Sequence, residues 1–100
     1  MRQIELYVPM QDNQGQNVPG RYWGNLEARL RGAFGGFTTY DGQGQWTDGR
    51  RIYRDSIHIY RIVCQDDLTC LIATIAHYVK EAWKQESVLY TVRDIQATFI

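Results

Sequence analysis

The sequence predicts an α+β fold, an antiparallel sheet with two helices packed on one face. Two patterns predict it. Residues 3–10, Arg51–Cys64 and Ser87–Val92 read as strands, with a shorter one around Phe37–Tyr40. Residues 22–34 and Leu68–Lys84 instead place apolar side chains three and four positions apart, the period of a helix with one buried stripe. One hundred residues are enough for one such domain, 1–100, and too few for two.

The first strand alternates cleanly. Ile4, Leu6, Val8 and Met10 point one way, while Gln3, Glu5 and Tyr7 point the other. Pro9 suits a strand end. Residues 11–20 are polar and rich in turn formers, hence a loop. Trp23, Leu26, Leu30 and Phe34 make the stripe of the first helix, and Gly35 is its natural stop. The glycine-rich stretch Gly32–Trp46 then reads as a glycine break and a short strand. A tight turn at Asp41-Gly42 follows, with Gly44 as a second permissive position and Trp46 held beside the turn.

Thr47-Asp48-Gly49-Arg50 is a further turn. In the long strand that follows, Ile57, Ile59, Arg61 and Val63 share one face, and His58, Tyr60, Ile62 and Cys64 share the other. Neither face is clearly polar, so the pattern does not choose the buried one. Asp66 or Asp67 suits the N-cap of the second helix, whose stripe is Leu68, Leu71, Ile72, Ile75, Val79, Ala82 and Trp83. Ala97–Ile100 either extend the sheet or fold back as a short strand. The order is β-α-β-β-α-β, the ferredoxin-like split arrangement. Both helices cover one face, so the other, carrying Tyr7 and part of the long strand with Leu89 or Tyr90, is left too apolar for water. A second copy or a ring of copies is its simplest cover, and the polar loop or the C-terminal residues are the alternative.

Formal net charge is zero, which gives no electrostatic footprint for nucleic acid. No apolar run is long enough to span a membrane. The N-terminal residues lack the pattern of a secretory leader, which points to the cytoplasm and to reduced thiols at Cys64 and Cys70. The cysteine spacing matches no zinc pattern. A thiol nucleophile paired with His58 or His77 is disfavoured, because each cysteine suits a small buried position.

Seven tyrosines and three tryptophans stand out, with acids beside them: Asp41 by Tyr40, Asp55 by Tyr53, Glu86 by Trp83 and Tyr90. Such pairs suit a ligand that is flat, partly apolar and cationic, although packing and solvation explain most of them. Arg50, Arg51 and Arg54 form a small basic cluster that reads best as solvated.

The spacing Gly32-x-Phe34-Gly35-Gly36-Phe37-x-Thr39-x-Asp41-x-x-Gly44-x-Trp46 resembles a segment of the phage S-adenosylmethionine lyases. Trp83-x-Gln85-Glu86-Ser87-Val88-Leu89 is similar to a second segment of that family, and Val63-Cys64-Gln65-Asp66 is a weaker third. The resemblance covers residues 32–100. Gly44-Gln45-Trp46 and Gln85–Leu89 also resemble a bacterial domain family of unknown function.

The lyase resemblance implies conversion of S-adenosylmethionine to methylthioadenosine and homoserine lactone. It also implies a trimer like that of the nitrogen-regulatory (PII-like) signalling proteins, with the ligand between subunits, in the cytoplasm of a phage-infected bacterium. No metal or cofactor is implied, since the substrate carries its own nucleophile and leaving group. The implied site residues are Asp55 as the key acid, with Gly35, Gly36, Tyr40, Asp41, Trp46, Tyr53 and Glu86 around the substrate. Two positions depart from the family: Trp46 replaces its usual tyrosine, and Asp55 its glutamate. Tyr40 or Tyr53 would then supply the hydroxyl. The alternatives are a non-enzymatic trimer that binds a nucleotide and an interaction domain that pairs through its open sheet face.

Overall fold

Strand β1 (Arg2–Pro9) lies inside the sheet, antiparallel to β3 (Ile52–Cys64) on one side and to β4 (Tyr90–Asp94) on the other. Strand β2 (Thr38–Thr47) pairs with the outer edge of β3, giving the order β2-β3-β1-β4 in the computed structural model, which describes residues 1–100. Helices α1 (Gly20–Phe34) and α2 (Leu71–Ala82) share one core with Ile4, Leu6 and Val8. This is the α+β arrangement that the element order predicts. No helix is long and apolar enough to cross a membrane.

The core follows from the two periods. Leu26 and Leu30 of α1, and Ile72, Ile75, Ala76 and Val79 of α2, are buried against the alternate residues of β1. Gly35 stops α1 at φ 86°, with its N–H donating to the Arg31 carbonyl at 2.8 Å. Just past α2, Trp83 is fully buried, and its Nε1–H donates to the Pro9 carbonyl at 3.0 Å. Its ring meets Trp23 edge-on, centroids 5.0 Å apart. Removing a ring of that size from water contributes about 4–6 kcal/mol and locks the end of α2 to the end of β1.

Register decides what the long strand's pattern left open. Ile62 stands opposite Ile4 and Tyr60 opposite Leu6, so His58, Tyr60, Ile62 and Cys64 face the helices. Tyr60 is fully buried with its hydroxyl donating to Glu27 at 2.8 Å; burial and that carboxylate push its phenol pKa well up. Ile57, Ile59, Arg61 and Val63 therefore take the open face with Glu5 and Tyr7.

Several expectations are corrected. Asp41-Gly42 is not a turn, because β2 runs straight through it, pairing Asp41 with His58 and Gly42 with Ile57. The chain reverses later, where Asp48 Oδ1 accepts the N–H of Arg50 at 2.8 Å and of Arg51 at 3.1 Å, and Gly49 takes φ 94°. Asp66 and Asp67 do not cap α2. They lie in a 3₁₀ turn over Asp66–Leu68, where Asp66 faces the N-terminal amine at 3.4 Å. The last strand begins at Tyr90 rather than Ser87, and the chain after Asp94 forms no strand. Cys64 is buried as expected, but Cys70 is exposed ahead of α2.

The ends of the sheet differ. β1 stops opposite Ile57, while β2 and β3 continue for five further pairs, from Gln43↔Ser56 to Thr47↔Ile52. The result is a two-stranded arm. The radius of gyration of 14.2 Å exceeds the roughly 13 Å of a compact chain this long.

Candidate functional site

The base of the arm carries a cleft of about 360 Å³ on the open face. Tyr7 and Pro9 form one side, Ile57 the floor and Trp46 the far wall. The segment between α2 and β4 supplies the remaining side through Gln85, Glu86, Ser87, Val88 and Leu89. The two stretches that stand out in the sequence, the glycine-rich one and Gln85–Leu89, thus meet at one place. A cleft of this size falls in the range of small-molecule sites.

Gly44 shapes it. A Cβ here would lie 2.7 Å from the Trp46 ring and 2.8 Å from Ile57 Cδ1. The missing side chain lets the indole lie back along its own strand towards Ile57. Trp46 remains 48% exposed, so its ring presents a free face. Gly44 is therefore in the strand to admit a ring, which the sequence pattern misreads as turn chemistry.

A polar network adjoins the cleft through Tyr7. Glu5 Oε1 accepts from the Tyr7 hydroxyl at 3.2 Å. Glu5 Oε2 accepts from the Tyr40 hydroxyl and from Arg61 Nη2 at 3.1 Å and Nε at 3.2 Å. The Arg61 guanidinium also lies over the Tyr40 ring, 4.8 Å from its centroid. The Tyr40 hydrogen bond and then Arg61 hold the Glu5 carboxyl below its ordinary range, and Glu5 in turn pushes the Tyr40 phenol up. Glu5 and Arg61 escaped the sequence reading as site residues. Only the outward position of Glu5 in the alternation hints at it.

The expected site residues scatter. Trp46 and Glu86 line the cleft. Tyr40 is on the open face within the Glu5 network. Tyr53 stands opposite Trp46 on the arm, its hydroxyl donating to Asp48 at 3.2 Å. Asp55 pairs across from Gly44 and lines a neighbouring polar cavity. Asp41 is on the helix-covered face, where its Oδ1 is 2.5 Å from His58 Nδ1. Gly35 and Gly36 precede β2, roughly 26 Å of strand before Trp46 at 3.3 Å per residue.

Among solved structures, the chain resembles a phage SAM lyase in complex with S-methyl-5'-thioadenosine, with a TM-score of 0.70 at 14% identity, over 93% of this chain and 80% of that one. It also resembles CutA from Pyrococcus horikoshii, with a TM-score of 0.65 at 10% identity, over 99% and 88%. The PII-like protein CutA from Nostoc sp. PCC 7120 follows with 0.58 at 9%, over 95% and 81%. At such identities the likeness is one of fold. No curated protein matches the chain in sequence. A family model does match, over residues 3–99, and the chain belongs to that family, described as protein of unknown function (DUF3574).

Proposed function

We propose that the protein is an S-adenosylmethionine lyase whose cleft holds the substrate between copies of the chain, a trimer by the fold analogy. The observation that carries the proposal is the meeting of Trp46 with Gln85–Leu89 on one cleft, because these are the two stretches that most resemble the lyases. The neighbour that binds S-methyl-5'-thioadenosine supports it at the level of fold.

The chemistry asks little of the protein. A substrate carboxylate oxygen attacks its own γ-carbon. The carbon–sulfur bond breaks, and its electron pair goes to the sulfonium sulfur. The sulfonium becomes the neutral thioether of methylthioadenosine, and the methionine part closes to homoserine lactone. No proton leaves carbon, so the site must fold the substrate and exclude water. The free Trp46 face suits the sulfonium or the adenine, and Tyr7, Val88 and Leu89 give the apolar surroundings. The arm exposes Trp46 and Tyr53 on the face of the cleft, and a second copy covering that face would shut it.

An acid must hold the substrate ammonium group. Asp55 is the acid that the resemblance gives, and Glu86 is the one on the cleft wall. The test is incubation of the full chain with S-adenosylmethionine and chromatography for methylthioadenosine. Asp55→Asn or Glu86→Gln, whichever removes the working acid, lowers turnover at least about tenfold, ~1.4 kcal/mol of barrier. Binding without product would select the second reading, a nucleotide-binding protein of the PII-like kind, which the CutA likeness favours.

A further inference from the structure

We infer that the groove between α2 and β4 is an anion site that takes a phosphate group, free or carried on an ester. The groove measures about 240 Å³. Ala73, Ala76, His77 and Lys80, spaced three and four apart on α2, form one wall. Ser87, Val88 and Tyr90 form the other. Tyr90 stands opposite the buried Leu6 of β1, so its ring lies on the helix-covered face, the reverse of the sheet from Tyr7. Only Ser87 and Val88 are shared with the cleft, so the groove backs onto the cleft wall.

Every polar side chain in the lining can donate, and none is an acid. Lys80 brings an ammonium group, His77 an imidazole N–H, and Ser87 and Tyr90 a hydroxyl each. None of the four side chains has a hydrogen bond or an ion pair within the chain. A cation would find no carboxylate here, and an apolar occupant would strand four polar groups. A phosphate offers several strong acceptor oxygens and the charge opposite to that of Lys80. One exposed lysine attracts an anion only weakly in water, and the three donors around it set this position apart from an ordinary surface lysine. The backbone adds to them. Glu86, Ser87 and Val88 belong to no helix or strand, and their N–H groups bond to nothing in the chain. The segment is pinned on both sides: the Gln85 N–H donates to the Lys80 carbonyl at 2.9 Å, and the Tyr7 N–H donates to the Leu89 carbonyl at 3.1 Å. Anchored ends hold Ser87 near the end of α2 and lower the ordering cost of binding.

The test is an NMR titration of the isotope-labelled full chain with sodium phosphate and with phenyl phosphate, against sodium chloride at matched ionic strength. The amide signals of His77, Lys80 and Ser87 move along one saturable curve with phosphate and stay in place with chloride. Lys80→Gln weakens phosphate binding at least about fivefold and His77→Gln about threefold. Lys84→Gln, at an exposed lysine outside the groove, changes it by less than about twofold. His77 and Lys80 are both exposed, so their variants keep the fold. Tighter binding of phenyl phosphate than of phosphate assigns the site to an ester, and equal or weaker binding assigns it to the free ion. Shifts that grow without saturating overturn the inference, as does an equal loss in Lys80→Gln and Lys84→Gln. No probe here is a nucleoside, so the result stands apart from the lyase reading.

Discussion

Two tryptophans report the two faces of the sheet. Trp83, at the helix-covered face, has no exposed surface, a hydrogen bond for its N–H and an edge-on aromatic neighbour. Trp46, on the open face, lies over a glycine and is half exposed. The first ring is used up by the fold, whereas the second is held in place without being enclosed. One face of the sheet thus spends its apolar surface on stability, and the other leaves part of its apolar surface exposed.

The comparison is sharpest in substitution. Trp83→Ala should cost roughly 3–5 kcal/mol of stability, as expected for deletion of a large core ring, and chemical denaturation measures it. Trp46→Ala should change stability by less than about 1 kcal/mol and weaken nucleoside binding by about 1–2 kcal/mol. Large destabilisation by Trp46→Ala with unchanged affinity of the folded protein would break the contrast and place this ring in the core.

A smaller effect belongs to the open face alone. The Glu5 carboxyl is held below its ordinary 4.5 by Tyr40 first and by Arg61 and Tyr7 after it. A carboxyl with a lowered folded-state pKa stabilises fully above its unfolded value, and the gain is lost as pH falls through the folded one. Glu5→Gln should therefore cost about 1 kcal/mol at neutral pH for this partly solvated network. The gap to the parent should close on acidification below 4.5, read as denaturation midpoints against pH. A gap that persists in acid would assign the loss to packing.

Legibility followed the same division. The covered face was readable because burial imposes a period: Ile4, Leu6 and Val8 declare a strand, Leu26 and Leu30 a helix, and Gly35 its end. The open face obeys no period. Gly42 and Gly44 look like turn residues in a window of a few positions, and only the cross-strand positions of Ile57 and Ile59 show that they make room for side chains. Glu5 meets Tyr40 and Arg61 across 35 and 56 positions, so the network exists only once the register is known. The same holds for Asp41 and His58. The cleft was half legible: the resemblance set Trp46 and Glu86 around one ligand, but no spacing or period in the sequence brings Tyr7, Pro9 and Ile57 to the same cavity.

The inner position of β1 has a consequence for how the chain is made. Its partners lie at 57–64 and 90–94, so β1 has no complete set of neighbours until both later strands have been made. The β2–β3 hairpin closes locally and can form as soon as it emerges. Ile4, Leu6 and Val8 meanwhile stay uncovered, a short β-prone segment in water until β3 and β4 follow. Glu5, set between Ile4 and Leu6, puts a charge in the middle of that segment, where it hinders pairing with another nascent chain before its own sheet is ready.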